Sequence, residues 1–248
     1  MTLDYCSVIE GESSRLVTAL EANRDGKIPW SDRWTVATCA KHVGGTHHVV
    51  AKVIEDRPTA SFELFASLDT PDKRDPGLAA WVAEGTAALV TQLRATDPAA
   101  ECWSWHPDGR SAGFWARRMA HESLVHRWDA EAGAGIAGAA MDPIAAADGI
   151  DEYLDVFVAV TRGLRSSPAG PSINFECTDT GDSWFLQLPS DGARVVTREP
   201  VDCEVHLRGP AEGLLLVAWG RLRPDVAGVK VLGDSAHLSR WNELIPPM

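Results

Sequence analysis

Residues 133–141 are almost entirely Gly and Ala (Gly133, Ala134, Gly135, Ile136, Ala137, Gly138, Ala139, Ala140, Met141), and the apolar pattern of the chain changes across them. Such a tract buries little and restrains little backbone, so it reads as a linker or hinge. Before it the chain reads as helices. Val8, Leu16 and Leu20 form a loose stripe after Asp4, broken by Gly26 to Pro29. A second helix runs from Trp34 and Thr35 to about Ile54, and Pro58 ends it. Residues 58–76 read as a long connection. Asp75 and Pro76 then offer an N-cap and a first-turn proline for a third helix to about Arg94. A short irregular piece (Cys102 to His106) precedes a fourth helix from about Ser111 to Ala132. Beyond the tract, Asp142 and Pro143 repeat the helix-start signal for a helix to about Leu164. Short β-like runs follow at Ile173 to Cys177, Trp184 to Leu188 and Arg194 to Thr197, with turn signals at Thr180-Gly181 and Asp191-Gly192. Val201 to Leu207 alternates apolar and polar, while Pro210 to Gly220 and Ser235 to Leu244 read as helices. The expected fold class is therefore α followed by α+β. An antiparallel four-helix bundle occupies residues 1–140 and a smaller α+β domain residues 141–248.

The 248 residues suit one large or two modest domains. Their 45% hydrophobic content excludes a largely disordered chain. A net charge of −12 argues against a nucleic-acid partner, because binding phosphate backbones needs basic surface. No apolar run approaches the roughly 18–20 residues of a membrane span, and the N-terminus carries no secretory pattern. Five widely spaced cysteines without a CxxC pair fit neither a disulfide framework nor a four-cysteine zinc site, so a reducing cytoplasm is expected. No dedicated apolar interface is legible, and a monomer is the expectation. Ten Trp against two Tyr is unusual, with core packing as the first explanation.

The chemistry concentrates in the fourth helix, at His121 to Asp129. At about 100° per residue, Glu122 and His126 lie about 40° apart on one face, and Asp129 returns to within about 20° of Glu122. Trp115, Met119 and Val125 share that face, so it is expected to point inward, with His121, Arg117 and Arg127 turned to solvent. A buried carboxylate and imidazole need a partner, and a divalent metal is one; an ion pair from Arg118, four residues before Glu122, is another. In the second helix, His42 falls with Cys39, Thr46, Val49 and Val53, whereas His47 and His48 fall on the flanks. His42 is thus the one expected to face the interior. Cys39 is read as packing or as a soft ligand. His42, Glu122 and His126 together form two imidazoles and a carboxylate, a composition of catalytic zinc sites with a fourth position open.

At these residues the sequence resembles the mycothiol-dependent maleylpyruvate isomerase family of the DinB-like superfamily. Trp34-Thr35 is followed by His42 eight residues after the Trp, and Glu122, His126 and Asp129 follow in one helix. In the second half, Leu214 to Trp219 followed by Gly220-Arg221 resembles the Gly-Arg helix end of the family's sterol-carrier-like α+β domain. The resemblance implies zinc ligands His42, Glu122 and His126, with Asp129 as an acidic group close to the metal. It implies Arg221 as the arginine for the substrate or thiol cofactor, mycothiol as that thiol, and a small electrophile as substrate. The site is expected at the bundle end facing the second domain. A conjugated cis alkene would be isomerised, whereas an electrophile with a leaving group would undergo S-transfer. Three other readings stay open: a hydrolase with zinc-activated water, a non-catalytic small-molecule binder, and a bundle in which Arg118 simply pairs with Glu122. Nickel and iron also suit such a mixed site.

Overall fold

The computed structural model describes residues 3–57, 63–106, 109–159, 169–190, 195–234 and 236–238. The chain divides into two compact units, Met1–Ala139 and Ala140–Met248.

In the first unit α1 (Tyr5–Ala22) starts at Asp4, whose carboxylate accepts from the Ser7 amide and hydroxyl. Thr35 caps α2 (Val36–Asp56) by accepting from the Thr38 amide. A five-residue helix, α3 (Glu63–Ser67), interrupts the expected long connection, whose residues 58–62 lie outside the described set. The Asp75-Pro76 pair forms a turn before the third long helix rather than its first turn. Asp75 Oδ1 accepts from the Gly77 amide at 2.7 Å, and α4 (Leu78–Ala95) begins after Gly77. Ser111 caps α5 (Ala112–Ala134), accepting from the Phe114 amide at 3.1 Å.

Helix α1 packs against α4 and α5, and so does α2. The α2–α4 approach is close because both helices present glycine. A Cβ on Gly44 would lie 2.8 Å from the Trp81 ring, and one on Gly85 would lie 2.7 Å from the His48 ring. Helix α5 is buried on nearly every side, which corrects the expectation of a solvent flank: His121 is buried and Arg127 has no exposure. Arg127 is neutralised where it lies, donating to Glu12 of α1, to Glu131 and to the Ala139 carbonyl.

The Gly/Ala tract is not uniformly a linker. Its first two residues finish α5, and Gly135, at φ +70°, ends the helix. The Gly135 amide donates to Ala132 O and the Ile136 amide to Glu131 O, a Schellman closure that returns Ile136 to the core.

In the second unit Asp142 caps α6 (Pro143–Glu152), accepting from the Ile144 and Ala145 amides. The helix continues through one wide π turn, Tyr153–Phe157. Its expected extension toward Leu164 lies outside the described residues past 159. A five-stranded sheet has the order β3-β2-β1-β4-β5. Its strands are β1 (Ile173–Cys177), β2 (Ser183–Gln187), β3 (Val195–Thr197), β4 (Val205–Gly209) and β5 (Lys230–Gly233). Strands β1 and β4 are parallel, and the other pairings are antiparallel. Helix α7 (Ala211–Ala218) follows β4 and packs on α6, β1 and β4.

The alternation over Val201 to Leu207 overstates one strand. Regular pairing starts at Val205, and Val201 is exposed. Strand β5 is missing from the sequence reading because Lys230 to Gly233 is a largely exposed edge with no buried alternation. The Asp191-Gly192 turn, Arg194, and Ser235 with residues 239–248 of the expected last helix lie outside the described residues.

Candidate metal centre

Thr35 ends a tight loop and starts α2. The Lys27–Thr35 bridge, the Ile28 amide to Trp34 O (3.1 Å) and the Val36 amide to Gly26 O (2.9 Å) stitch that loop together. Two turns into α2, His42 projects toward α5, where Glu122 and His126 stand one turn apart. One ligand atom from each of the three lies within 4.8 Å of the other two. Glu122 Oε1 accepts from His42 Nε2 at 2.7 Å and lies 3.4 Å from His126 Nε2. Its other oxygen, Oε2, is 3.2 Å from Arg118 Nη2, a guanidinium only 3% exposed. The ion pair and the two-imidazole set therefore coexist on opposite oxygens of one carboxylate.

Asp129 Oδ2 accepts from His126 Nδ1 at 2.8 Å. That bond commits the Nδ1 proton and directs Nε2 toward Glu122, and an outer carboxylate on the far ring nitrogen is the usual arrangement of a metal-ligating histidine. Burial alone would raise the Glu122 carboxyl, but the His126 charge and hydrogen bonds from both imidazoles hold it well below the usual range. Burial would lower His126, but the charge on Glu122, with Cys39 and Asp129, lifts it well above an ordinary histidine. The pocket thus favours positive charge among its donors, whether a proton or a metal ion.

Metal–ligand bonds of about 2.0–2.2 Å place tetrahedral donors about 3.4 Å apart. The Glu122–His126 separation meets that spacing, and the shorter His42–Glu122 hydrogen bond is the contact an ion would replace. The donor set fits a divalent cation held by three protein ligands. Cys39 does not join it: burial pushes its thiol up, and Sγ donates to the His126 carbonyl at 3.4 Å.

The three α2 histidines are not arranged as the wheel implies. His47 is fully buried and His42 is 42% exposed at the side chain. Cys39, Val49 and Val53 are buried as the wheel implies, but so are Val36, Ala40, Val43, Val50 and Ile54. The inward face of α2 is therefore broad enough to take in His47, while His42 lies at its rim. His47 is satisfied by Thr86 Oγ1 on α4 and Ser123 Oγ on α5, each at 3.1 Å. Burial lowers it to about 4.

Trp34, noted in the sequence for its spacing alone, contacts both ligand rings. Its ring is stacked on His126 (centroids 5.6 Å apart) and tilted over His42 (5.0 Å). The same loop carries Trp30, which stacks on Trp128 of α5 at 4.9 Å.

Arg221 belongs to the second unit. Gly220 adopts φ +66° after α7, and a Schellman closure places the arginine, its amide donating to Leu216 O at 2.8 Å and that of Gly220 to Val217 O. Arg221 is 8% exposed, with Nη1 donating to Trp219 O and its guanidinium 5.7 Å from the Trp219 ring centre. Tyr153 and Phe157, from the π turn of α6, pack edge-on against that same indole.

Comparison with known proteins covers both units. The profile of the mycothiol maleylpyruvate isomerase N-terminal domain matches residues 7–131, and that of the MDMPI C-terminal domain matches residues 145–240. Solved structures that share the fold include the following two. One is a histidine-to-alanine mutant of the mycothiol-dependent maleylpyruvate isomerase, at TM-score 0.58 and 16% identity, covering 92% of this chain and 91% of that one. The other is the mycothiol-dependent maleylpyruvate isomerase itself, at TM-score 0.57 and 17% identity, covering 88% of each chain. A search of curated proteins found no significant match. With the N-terminal profile spanning half the chain and the C-terminal profile most of the remainder, this chain belongs to the mycothiol maleylpyruvate isomerase family.

Proposed function

We propose that this protein is a zinc-dependent enzyme that uses the small-molecule thiol mycothiol as nucleophile toward a small electrophile. The reaction is cis-trans isomerisation of a maleylpyruvate-like substrate, or S-transfer where the electrophile carries a leaving group. The observation that carries the reading is the convergence of His42, Glu122 and His126 inside the region matching the family's N-terminal domain. On this reading the helical unit is a DinB-like four-helix bundle, the second a sterol-carrier-like domain, and their boundary lies near residue 140. The protein acts in the cytoplasm as a monomer, without nucleic acid or membrane as partner. No described helix is long and apolar enough to cross a membrane.

A divalent ion bound by these ligands lowers the pKa of a coordinating thiol and so supplies a nucleophile at neutral pH. The protein's own groups do the rest. Arg118 fixes one oxygen of Glu122 and leaves the other to the ligand cluster. Asp129 holds the Nδ1 proton of His126 and so its orientation. Arg221 binds a carboxylate of the substrate in planar, two-point fashion that lysine cannot copy. In the isomerisation, sulfur adds to the conjugated cis alkene and the electron pair moves into the adjoining carbonyl. Rotation about the new single bond follows, and expulsion of the thiolate restores the double bond as trans. Nothing is oxidised or reduced, and the thiol is regenerated.

Elemental analysis tests the metal reading. The purified protein is expected to carry about one zinc per chain, as one three-ligand site implies, and His42→Ala to lose it. Full zinc retention in that variant would refute the ligand assignment.

A further inference from the structure

His126 is restrained on several sides: Nδ1 by Asp129, Nε2 facing Glu122, and one face under Trp34. His42 is the exposed ligand, held by the Glu122 hydrogen bond and the tilted face of the same indole. The two imidazoles meet edge to face at 5.0 Å, so the three rings form one mutually touching group. The indole comes from neither ligand helix's interior. It sits just before the N-cap of α2, on the loop stitched by the Lys27–Thr35 bridge. When an ion replaces the His42–Glu122 hydrogen bond, that bond no longer orients His42, and the Trp34 face remains.

We infer that Trp34 is the positioning residue of the metal centre, its indole face fixing the ring planes of His42 and His126 so that both lone pairs are presented together. This rests on the metal reading above. The physical basis is twofold. A partly exposed histidine held in one rotamer loses no further side-chain freedom on coordination. Coordination also draws positive charge onto both imidazoles, and the electron-rich indole face attracts it. Leucine keeps an apolar side chain there but, smaller than the indole, supplies no such face.

The test is zinc affinity by chelator competition, with the visible spectrum of the cobalt-substituted protein, on wild type, Trp34→Leu, Trp34→Phe and Trp30→Leu. Each variant's fold is checked by circular dichroism. Trp34→Leu is expected to bind zinc about five- to tenfold more weakly, the scale of one such contact plus one rotamer, and to alter the cobalt bands. Trp34→Phe stays within about threefold of wild type. Trp30→Leu removes the Trp128 stack from the same loop and leaves affinity and spectrum unchanged. Wild-type affinity and bands in Trp34→Leu would overturn the inference while leaving the metal site intact. Equal weakening in Trp30→Leu would overturn it too, assigning the effect to the loop and not the ring. Should Trp34→Leu fail to fold, tenfold weaker binding by a folded Trp34→Phe would do the same. A wild-type protein that binds neither zinc nor cobalt would sink the metal reading and the inference together.

Discussion

His47 shows what burial does to a single ionisable group. It spans α2, α4 and α5 through Thr86 and Ser123, and burial lowers it from 6.5 to about 4. Between those values the unfolded chain binds a proton that the folded protein refuses, so stability rises with pH and is lost as pH falls from about 6.5 toward 4. That linkage amounts to roughly 3 kcal/mol between pH 7 and pH 4. Urea denaturation at the two pH values is expected to show that loss in wild type and a loss smaller by about that amount in His47→Gln. Identical pH dependence would show that His47 is not the responsible group. The residue also marks where the sequence is hard to read. Glu122, His126 and Asp129 were legible as one face because helical spacing alone sets them in line. The choice among His42, His47 and His48 depended on which side of α2 faces α4 and α5, and a buried arc that runs from Val49 and Val53 through Cys39 to Val36 and Ala40 is too broad to single one out.

At the scale of elements, helix starts were readable and close approaches were not. Asp4, Thr35, Ser111 and Asp142 each stand at a helix start with a side-chain oxygen on a following amide. The Asp75-Pro76 signal lies two residues ahead of the helix: the Leu78 amide closes a tight turn on Asp75 O, and the i to i+4 pairing starts with the Trp81 amide on Gly77 O. What no local signal reveals is how the 24–36 loop seats on α5. A Cβ on Gly26 would lie 2.1 Å from the Gly133 carbonyl oxygen, a backbone atom that cannot rotate away. Gly26→Ala should therefore push the loop and the last turn of α5 apart, at about 1–3 kcal/mol. A thermal melt is expected to show a midpoint several degrees lower. An unchanged midpoint would mean that the contact relaxes freely. Burial of α5 on almost all sides is likewise a property of the assembled helices; its Arg127 and His121 look like solvent residues until Glu12 and Tyr5 of α1 are placed against them.

At the scale of the molecule, two units of different architecture share one chain. The change in apolar pattern across the Gly/Ala tract was visible because period and turn chemistry both switch there. The edge strand Lys230–Gly233 was not, since pairing with β4 rather than burial makes it a strand. Fold alone assigns no chemistry, so the account rests on the ligand cluster in the first unit and on Arg221 in the second. Arg221→Ala is expected to keep a full complement of zinc while thiol-dependent turnover falls by at least two orders of magnitude, the loss of a charge-assisted anchor. Unchanged turnover would remove Arg221 from the mechanism. The central claim, a three-ligand ion with room for sulfur, is tested most directly by X-ray absorption at the zinc edge of the purified protein, with and without mycothiol. The resting spectrum should fit two imidazoles and light oxygen or nitrogen donors with no sulfur. A single sulfur shell at about 2.3 Å should then appear when the thiol is added. Sulfur already present in the resting protein, or none after saturation with thiol, would contradict the account.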